Sequence, residues 1–237
     1  MVDMQRIDGD HSDAFAPRVY MIRVSRLAMK NNNYLVVDPA TRLAVVVDPA
    51  WEMNKIQPAL AAAGATLCGI LLTHAHPDHT DLAEPLAKVH DCPIWMSRQE
   101  IISSGYDARH LVPIDETPWM VGRMRIEPLL TPGHTPGCVC YRIGRNLFTG
   151  DVLFAEGCGI CADVDAAHAM YASLQRLKSC LDPHTRIFPG HTYLRPPGQR
   201  FSDVLANNLY LHFRDREAFA AYRLRKGQST RMLMNFR

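Results

Sequence analysis

The stretch "LLTHAHPDHTDLAEPL", residues 71–86, places three histidines and an aspartate within six positions. These four residues are His74, His76, Asp78 and His79. An apolar run typical of a buried strand precedes them, and a helix-like pattern follows. Because imidazole and carboxylate groups suit zinc, iron or manganese, the stretch predicts a metal site. The alternative is a polar loop that is rich in histidine by chance.

Three further polar clusters follow apolar runs, at residues 129–137 ("LLTPGHTPG"), 147–151 ("LFTGD") and 187–191 ("IFPGH"). Loops at strand ends are places where a rigid sheet can hold reactive groups. We therefore expect these loops to meet at one edge of the structure. The polar residues that they supply are His134, Asp151 and His191.

The spacing within residues 74–79 predicts two metal ions. His74 and His76 are two apart on an extended segment, so their side chains point the same way. The chain then turns at Pro77, and the next two side chains face another direction. We expect metal one to be held by His74, His76, His134 and Asp151. We expect metal two to be held by Asp78, His79, His191 and Asp151, with Asp151 as the bridge.

The remaining patterns predict a layered α/β protein. Strands come first along the chain, for example at Arg18–Arg26, and strands then alternate with helices. One predicted helix ends at Gly64, and another covers Asp165–Leu181. This order indicates sheets inside and helices outside.

Composition narrows the partners and the compartment. The 237 residues carry a net charge of +2, which gives no reason to expect a nucleic-acid partner. No apolar stretch has the length of a membrane span, and the polar N-terminus predicts no signal peptide. The seven cysteines show no regular framework, which favours a reducing compartment. We expect a cytoplasmic protein that binds neither nucleic acid nor membrane.

Charge divides the chain near the turn-rich segment "RPPGQ". Residues 195–237 carry a net charge of +6, whereas residues 1–194 carry −4. We therefore predict a catalytic domain at 1–194 and a short, basic, helical extension at 195–237.

The pattern His-x-His-x-Asp-His, with the three later clusters, resembles the metallo-β-lactamase superfamily, and its spacing resembles the glyoxalase II (hydroxyacylglutathione hydrolase) branch. The resemblance covers roughly residues 18–194. It implies a four-layer αββα sandwich with two divalent ions at the sheet edge, zinc first and iron or manganese as alternatives. Asp48, in "VVVDP", matches an acidic residue that supports the metal ligands in this family.

The expected chemistry is hydrolysis by a metal-bound hydroxide, which is available near neutral pH because the metal lowers the pKa of water. Asp78 and Asp151 are the predicted catalytic residues, since they anchor the ions and orient the hydroxide. No strong general acid stands out in the sequence. A thiolate can leave without a general acid, because a thiol, with a pKa of about 8.5, is acidic enough for its anion to be a good leaving group. The chemistry therefore favours a thioester, although a lactone stays open.

The expected substrate residues differ from those of glyoxalase II. That family usually carries a lysine and a tyrosine for glutathione where this chain has residues 160–162, "ICA". Tyr193 does match a substrate-site tyrosine of the family. "EGCGIC" and "FPGHTYLRPPGQRF" resemble the glyoxalase II-like hydrolases of trans-acyltransferase polyketide synthase clusters. This resemblance implies an acyl thioester on a carrier protein or a pantetheine-type thiol.

Several roles stay open at this point. Arg195 and Cys161 are candidate substrate contacts, with a solvated arginine and a buried structural thiol as the alternatives. Arg223, Arg225 and Lys226 are candidates for docking an acidic acyl carrier protein, with a solvated helical tail as the alternative. For the whole chain, the alternatives are a glutathione thioester hydrolase, a mononuclear iron persulfide dioxygenase and a non-catalytic metal-stabilised binding module.

Overall fold

A computed structural model of the chain describes residues 4–7 and 16–225. Within these residues, the first sheet has seven strands that lie side by side in chain order. They are β1 (Met4–Arg6), β2 (Arg18–Arg26), β3 (Met29–Val37), β4 (Leu43–Val47), β5 (Thr66–Leu71), β6 (Ile94–Ser97) and β7 (Leu111–Ile114). Neighbours are antiparallel from β1 to β4 and parallel from β4 to β7.

The second sheet has six strands among the described residues, in the order β13-β12-β11-β10-β9-β8. They are β8 (Trp119–Val121), β9 (Met124–Leu130), β10 (Val139–Ile143), β11 (Asn146–Gly150), β12 (Arg186–Pro189) and β13 (Gln199–Arg200). Only β11 and β12 form a parallel pair in this sheet. As a result β9, β11 and β12 run in the same direction and end at the same edge.

The described helices lie on the outer faces of the two sheets or at their edge. They are α1 (Met53–Ala63), α2 (Pro77–Thr80), α3 (Ala83–His90), α4 (Arg98–Ser104), α5 (Val164–Cys180), α6 (Phe201–Asn207) and α7 (Arg216–Arg223), with a 3₁₀ helix at Leu209–His212. None of them is both long enough and apolar enough to cross a bilayer.

Strand periodicity explains the layers. In β3, Tyr34 and Val36 lie in an apolar cluster between the sheets, whereas Leu35 and Val37 lie in a cluster under α1 and α3. A third cluster joins the outer face of the second sheet to α5, α6 and α7. Three apolar clusters therefore separate four layers, which confirms the predicted αββα sandwich.

Several local predictions are confirmed. The strand at Arg18–Arg26 has the predicted bounds, and α1 ends at Gly64, whose φ of 56° is left-handed. The helix predicted at 165–181 is α5, Val164–Cys180. The helical pattern after the metal motif is α3, Ala83–His90, whereas the short helix α2, Pro77–Thr80, lies within the motif itself. They separate because the Leu82 N–H donates to the Pro49 carbonyl, 3.1 Å away, instead of continuing a helix.

The segment after residue 194 packs closely on the rest of the chain. β13 pairs with β12, and Phe201 and Phe219 share an apolar cluster with Met170 and Leu174 of α5. The division at 194/195 stays a prediction, but its two sides share one core. Lys226 lies outside the described residues.

The surface position expected for Arg223 is wrong. Only 4% of this residue is exposed, because its guanidinium group lies against Gly159 and Tyr210 and not in solvent.

Candidate metal centre

The predicted metal ligands lie in four strand-end segments that meet at one edge. His74 and His76 follow β5, and α2 carries the next two ligands after the turn at Pro77. The other three ligands follow β9, β11 and β12, which end at the same edge of the second sheet. The seven residues therefore come together because of the strand directions.

The first group of donors consists of His74, His76 and His134. The His76 Nδ1 atom lies 3.1 Å from the His74 Nε2 atom and 3.1 Å from the His134 Nε2 atom. Three nitrogens that converge in this way could hold one ion. This is the set predicted for metal one, together with Asp151.

The second group consists of Asp78, His79 and His191. The Asp78 Oδ2 atom lies 3.5 Å from the Nε2 atom of His79 and 3.5 Å from the Nε2 atom of His191. Their donor atoms also converge closely enough to hold one ion. This is the set predicted for metal two.

Asp151 lies between the two groups. Its Oδ1 atom is 3.5 Å from His79 Nε2, and its Oδ2 atom is 3.3 Å from His191 Nε2 and 3.7 Å from His134 Nε2. The carboxylate therefore faces donors of both groups, which is the geometry that a bridging ligand requires.

Asp48 orients one histidine of each group. Its Oδ2 atom accepts a hydrogen bond from His79 Nδ1 at 2.9 Å and another from the Thr73 hydroxyl at 2.7 Å. The same hydroxyl oxygen lies 3.0 Å from His74 Nδ1. A contact at Nδ1 leaves Nε2 free to bind a metal. Asp48 therefore lies beside the predicted ligands, as the family resemblance implied. Its φ of 50° is unusual for a residue other than glycine.

Two backbone carbonyls orient two further histidines. The Ile160 oxygen lies 2.9 Å from His134 Nδ1, and the Lys30 oxygen lies 3.1 Å from His191 Nδ1. Both histidines are therefore held with Nε2 toward the centre of the site. Sequence reasoning had no means of finding these contacts, because any residue can supply a carbonyl.

Sequence reasoning also missed Asn31, which is buried in β3. Its side-chain amide donates to the backbone oxygen of Asp78 at 2.7 Å and to Oδ2 of the same residue at 3.1 Å. The available signal was the run "NNN" at 31–33, since buried amides in a strand need specific partners.

Glu100 is a second residue that was missed. Its carboxylate accepts from the Ala75 N–H at 2.9 Å, from the Thr135 hydroxyl at 2.6 Å and from the Gly137 N–H at 3.0 Å. It therefore ties the loop of His74 and His76 to the loop of His134. The Ser97 side chain accepts from the Glu100 N–H and caps the helix that carries Glu100, but nothing in the local sequence signals the contacts of the carboxylate.

Burial and neighbouring charges shift the pKa values of several predicted ligands. Burial disfavours a charged His79, but Asp151 and Asp48 raise its pKa to about 9. Burial likewise disfavours a charged Asp151, but His191 and His79 hold its pKa well below the usual range. Burial and His79 lower the pKa of His74 well below its usual value. A nearby divalent cation would favour the ionised carboxylate and neutral imidazoles that bind metals.

Two orphaned atoms test whether a metal fits. His79 Nε2 and Asp151 Oδ1 are buried and have no hydrogen-bond partner. Such groups are costly to bury unless something satisfies them. A divalent ion bound to both atoms satisfies them without a hydrogen bond, so the residues fit the metal that the motif predicts.

The backbone leaves little room beside the ligands. A Cβ atom on Gly190 would lie 2.5 Å from His79 Cε1 and 2.8 Å from Asp151 Oδ1. Glycine is therefore required here by close approach to two ligands.

The predicted substrate residues lie in different environments. The half-buried Tyr193 ring is 5.0 Å from the ring of Phe154, which in turn is 6.3 Å from His191. Arg195 is exposed, and its backbone N–H donates to Glu156 at 2.6 Å. Cys161 is only 5% exposed, and its thiol lies 3.9 Å from the Gly159 oxygen. A substrate role for each of the three stays a prediction.

A comparison with protein-family models matches residues 28–191 to the metallo-β-lactamase superfamily. The chain belongs to this superfamily. Two of its relatives are named as hydrolases, one of them as zinc-dependent, and the chain is a metallo-hydrolase.

One relative is the Bacillus subtilis (strain 168) protein named "Probable polyketide biosynthesis zinc-dependent hydrolase PksB", 39% identical over 89% of this chain and 95% of its own. Another is a hydroxyacylglutathione hydrolase of Alkalilimnicola ehrlichii, 36% identical over 81% of this chain and 73% of its own. A metallo-β-lactamase structure from Staphylococcus aureus has a TM-score of 0.82 and 20% identity, and covers 94% of this chain and 72% of its own. This last likeness supports the fold alone.

Proposed function

We propose that the protein hydrolyses an acyl thioester of a carrier protein or a pantetheine-type thiol. The reaction would use two divalent ions, and zinc is the metal that we propose first. The observation that carries the proposal is Asp151, whose two oxygens face two separate groups of donors. Two ions bound there would activate water and polarise the thioester carbonyl. The proposed setting is polyketide biosynthesis, which the name of the Bacillus subtilis relative supports.

The protein's own residues have two tasks in this reaction. Asp78 and Asp151 hold the ions, and the low pKa of Asp151 keeps it an anion rather than a proton donor. Burial and the neighbouring Asp151 raise the pKa of Tyr193, so its phenol keeps its proton and can donate to the substrate. A thiolate leaving group needs no proton at the moment of cleavage, which fits this set of groups.

The surroundings of the centre favour a substrate other than glutathione. Ile160, whose carbonyl meets His134, is 51% exposed and apolar where the glyoxalase II resemblance leads us to expect a cation. The carboxylates of glutathione would meet no matched charge at this position. A pantetheine arm carries no carboxylate and suits an apolar contact.

The deciding experiment compares one acyl group on pantetheine and on glutathione, with the bound metals quantified. We expect the pantetheine thioester to be hydrolysed with a kcat/KM at least about 100-fold higher. Efficient cleavage of S-lactoylglutathione, at about 10⁴ M⁻¹s⁻¹ or above, would favour the glutathione hydrolase function instead. That second function has its own support in the 36% identical hydroxyacylglutathione hydrolase. One bound iron and oxygen uptake with a glutathione persulfide would favour a persulfide dioxygenase.

Two variants test the number of ions. Asp151→Ala should lose both ions and nearly all hydrolysis, whereas His79→Ala should mainly lose metal two. Both residues lie in strand-end segments outside the apolar clusters, so the fold should survive. Full activity of purified Asp151→Ala, with contaminating hydrolases excluded, would refute the dinuclear centre.

The carrier protein is proposed as a partner because such proteins are acidic and residues 195–237 are basic. Arg223 is buried, so the test uses Arg225→Glu with Lys226→Glu. Carrier-protein thioesters should be hydrolysed more slowly by this variant at low salt, and small thioesters should be unaffected. Equal effects on both substrate classes would argue against docking.

A further inference from the structure

We infer that the C-terminal segment forms part of metal site one, with Arg223 as a positioning residue for His134. The connection runs through the loop at 154–161, which joins β11 to α5 and carries the Ile160 carbonyl. The inference rests on the proposed metal centre and is independent of the substrate.

Arg223 is the last residue of α7 and reaches this loop from the outer layer. Its Nε atom donates to the Gly159 carbonyl at 2.8 Å, and one terminal nitrogen lies 3.4 Å from the Tyr210 hydroxyl. The guanidinium also lies over the Tyr210 ring, 5.7 Å from its centroid. The planar guanidinium group is therefore held in one orientation.

Asn208 holds the other end of the loop. This buried residue donates from its Nδ2 atom to the carbonyls of Phe154 at 3.0 Å and Gly157 at 2.9 Å. Two side chains of the C-terminal segment thus satisfy three carbonyls of one loop. Since buried carbonyls need partners, the loop depends on this segment for its shape.

The loop then positions a metal ligand directly. The residue after Gly159 is Ile160, whose carbonyl lies 2.9 Å from His134 Nδ1. Gly159 itself packs so closely on the site that an added Cβ would lie 1.9 Å from the Asp151 carbonyl oxygen and 3.1 Å from the His134 Cβ atom. A displacement at Gly159 therefore reaches the imidazole that would bind metal one.

An uncharged substitute for Arg223 would leave the Gly159 carbonyl with only the weak contact of the Cys161 thiol, 3.9 Å away. Leaving such a buried group unsatisfied is costly, so the loop should move to find water. His134 would then lose the contact that fixes its tautomer. Partners of this kind typically contribute 10–100-fold to metal affinity.

The experiment compares Arg223→Met with Arg223→Lys and with Arg216→Met as the matched control. Arg216 lies on the same helix but is exposed and pairs with Glu217. Stepwise metal affinities are measured by chelator competition, and folding is checked by circular dichroism. NMR of the cobalt-substituted protein follows the exchangeable Nδ1 proton of His134.

We expect Arg223→Met to weaken one of the two ions about tenfold or more, to leave the other within about twofold, and to lose the His134 proton resonance by exchange. The metal affinity of Arg223→Lys should lie between those of this variant and the wild type. Its ammonium group can still donate to the Gly159 carbonyl, but it lacks the planar geometry of a guanidinium group. Arg216→Met should match the wild type in all three measurements.

Wild-type affinities and an unchanged His134 resonance in folded Arg223→Met would overturn the inference. If Arg223→Met does not fold, wild-type metal affinities and an unchanged His134 resonance in Arg223→Lys would overturn the inference. A wild-type protein that binds no metal would refute the proposed function itself, which keeps the two failures distinct.

Discussion

At the scale of single residues, the amides and carboxylates around the ligands would determine how firmly each proposed ion is held. Asn31 contacts no predicted donor of metal one, but its amide makes two hydrogen bonds to Asp78. It therefore fixes the carboxylate that is predicted to bind metal two.

Asn31→Ala should weaken metal two by about tenfold or more while leaving metal one nearly unchanged. The reason is that Asp78 regains rotational freedom when both hydrogen bonds are lost. Stepwise metal titration measures this, with Asn207→Ala as the control, since Asn207 is exposed and donates only within its own helix. Equal weakening of both ions would show a general loss of structure instead.

Cys161 should behave as an inert thiol near neutral pH. Burial raises its pKa to about 11, although Arg223 acts in the opposite direction. The reactive thiolate is therefore scarce at pH 7.5 and increases only as the pH approaches 11. Mass spectrometry after iodoacetamide treatment should find the exposed Cys180 modified well before Cys161. Comparable rates at pH 7.5 would mean that Cys161 is accessible and could meet a substrate.

At the scale of elements, the strand-end loops explain both the success and the failure of sequence reasoning. The apolar runs before His74, His134, Asp151 and His191 are strands, and their common direction brings the ligands together. Periodicity and polar clusters are local signals, so they can be read from the sequence.

Contacts between distant elements leave no local signal. The burial of Arg223 depends on how α7 packs against α5, and its partner Gly159 belongs to a loop far away in sequence. A basic residue at a helix end is most often solvated, which is why it was expected on the surface. Glu100 was missed for the same reason, because its three donors lie in two other loops.

Gly190→Ala tests how closely β12 ends against the ligands. The new methyl group would press on His79 and Asp151, so both ions should bind more weakly and hydrolysis should fall at least about tenfold. Gly157→Ala is the matched control, because an added Cβ there meets its nearest neighbour, the Tyr210 ring, at an ordinary 3.8 Å. Metal content and activity are measured for both variants. Normal metal content in Gly190→Ala would show that the loop moves to accommodate the added methyl group without disturbing the ligands.

At the scale of the whole molecule, the proposed ions join the two sheets. His74 and His79 follow the first sheet, whereas His134, Asp151 and His191 follow the second. An ion bound by ligands from both sheets stabilises only the folded state.

Removing the ions with a chelator should lower the Tm. At a free ion concentration of about 1,000 times Kd, one ion contributes about 4 kcal/mol. In a chain of this size each kcal/mol changes the Tm by about 2–4 °C, so a fall of about 8–16 °C is expected for each ion that is removed. Calorimetry with and without chelator measures it. Asp151→Ala serves as the control, since a protein that has lost both ions should not respond. A chelator effect of equal size in that variant would show that the ions lie elsewhere.

The chain order of the two sheets also has a consequence for protein synthesis. Every described strand of the first sheet lies before residue 115, and every described strand of the second lies after it. While the ribosome is still producing the second half, the inner face of the first sheet, with Val36, Val45 and Val47, has nothing to cover it. Incomplete chains of this kind expose apolar surface and aggregate readily. The nascent protein should therefore depend on chaperones until His191 has emerged, and only then are all the residues present that are predicted to bind the two ions.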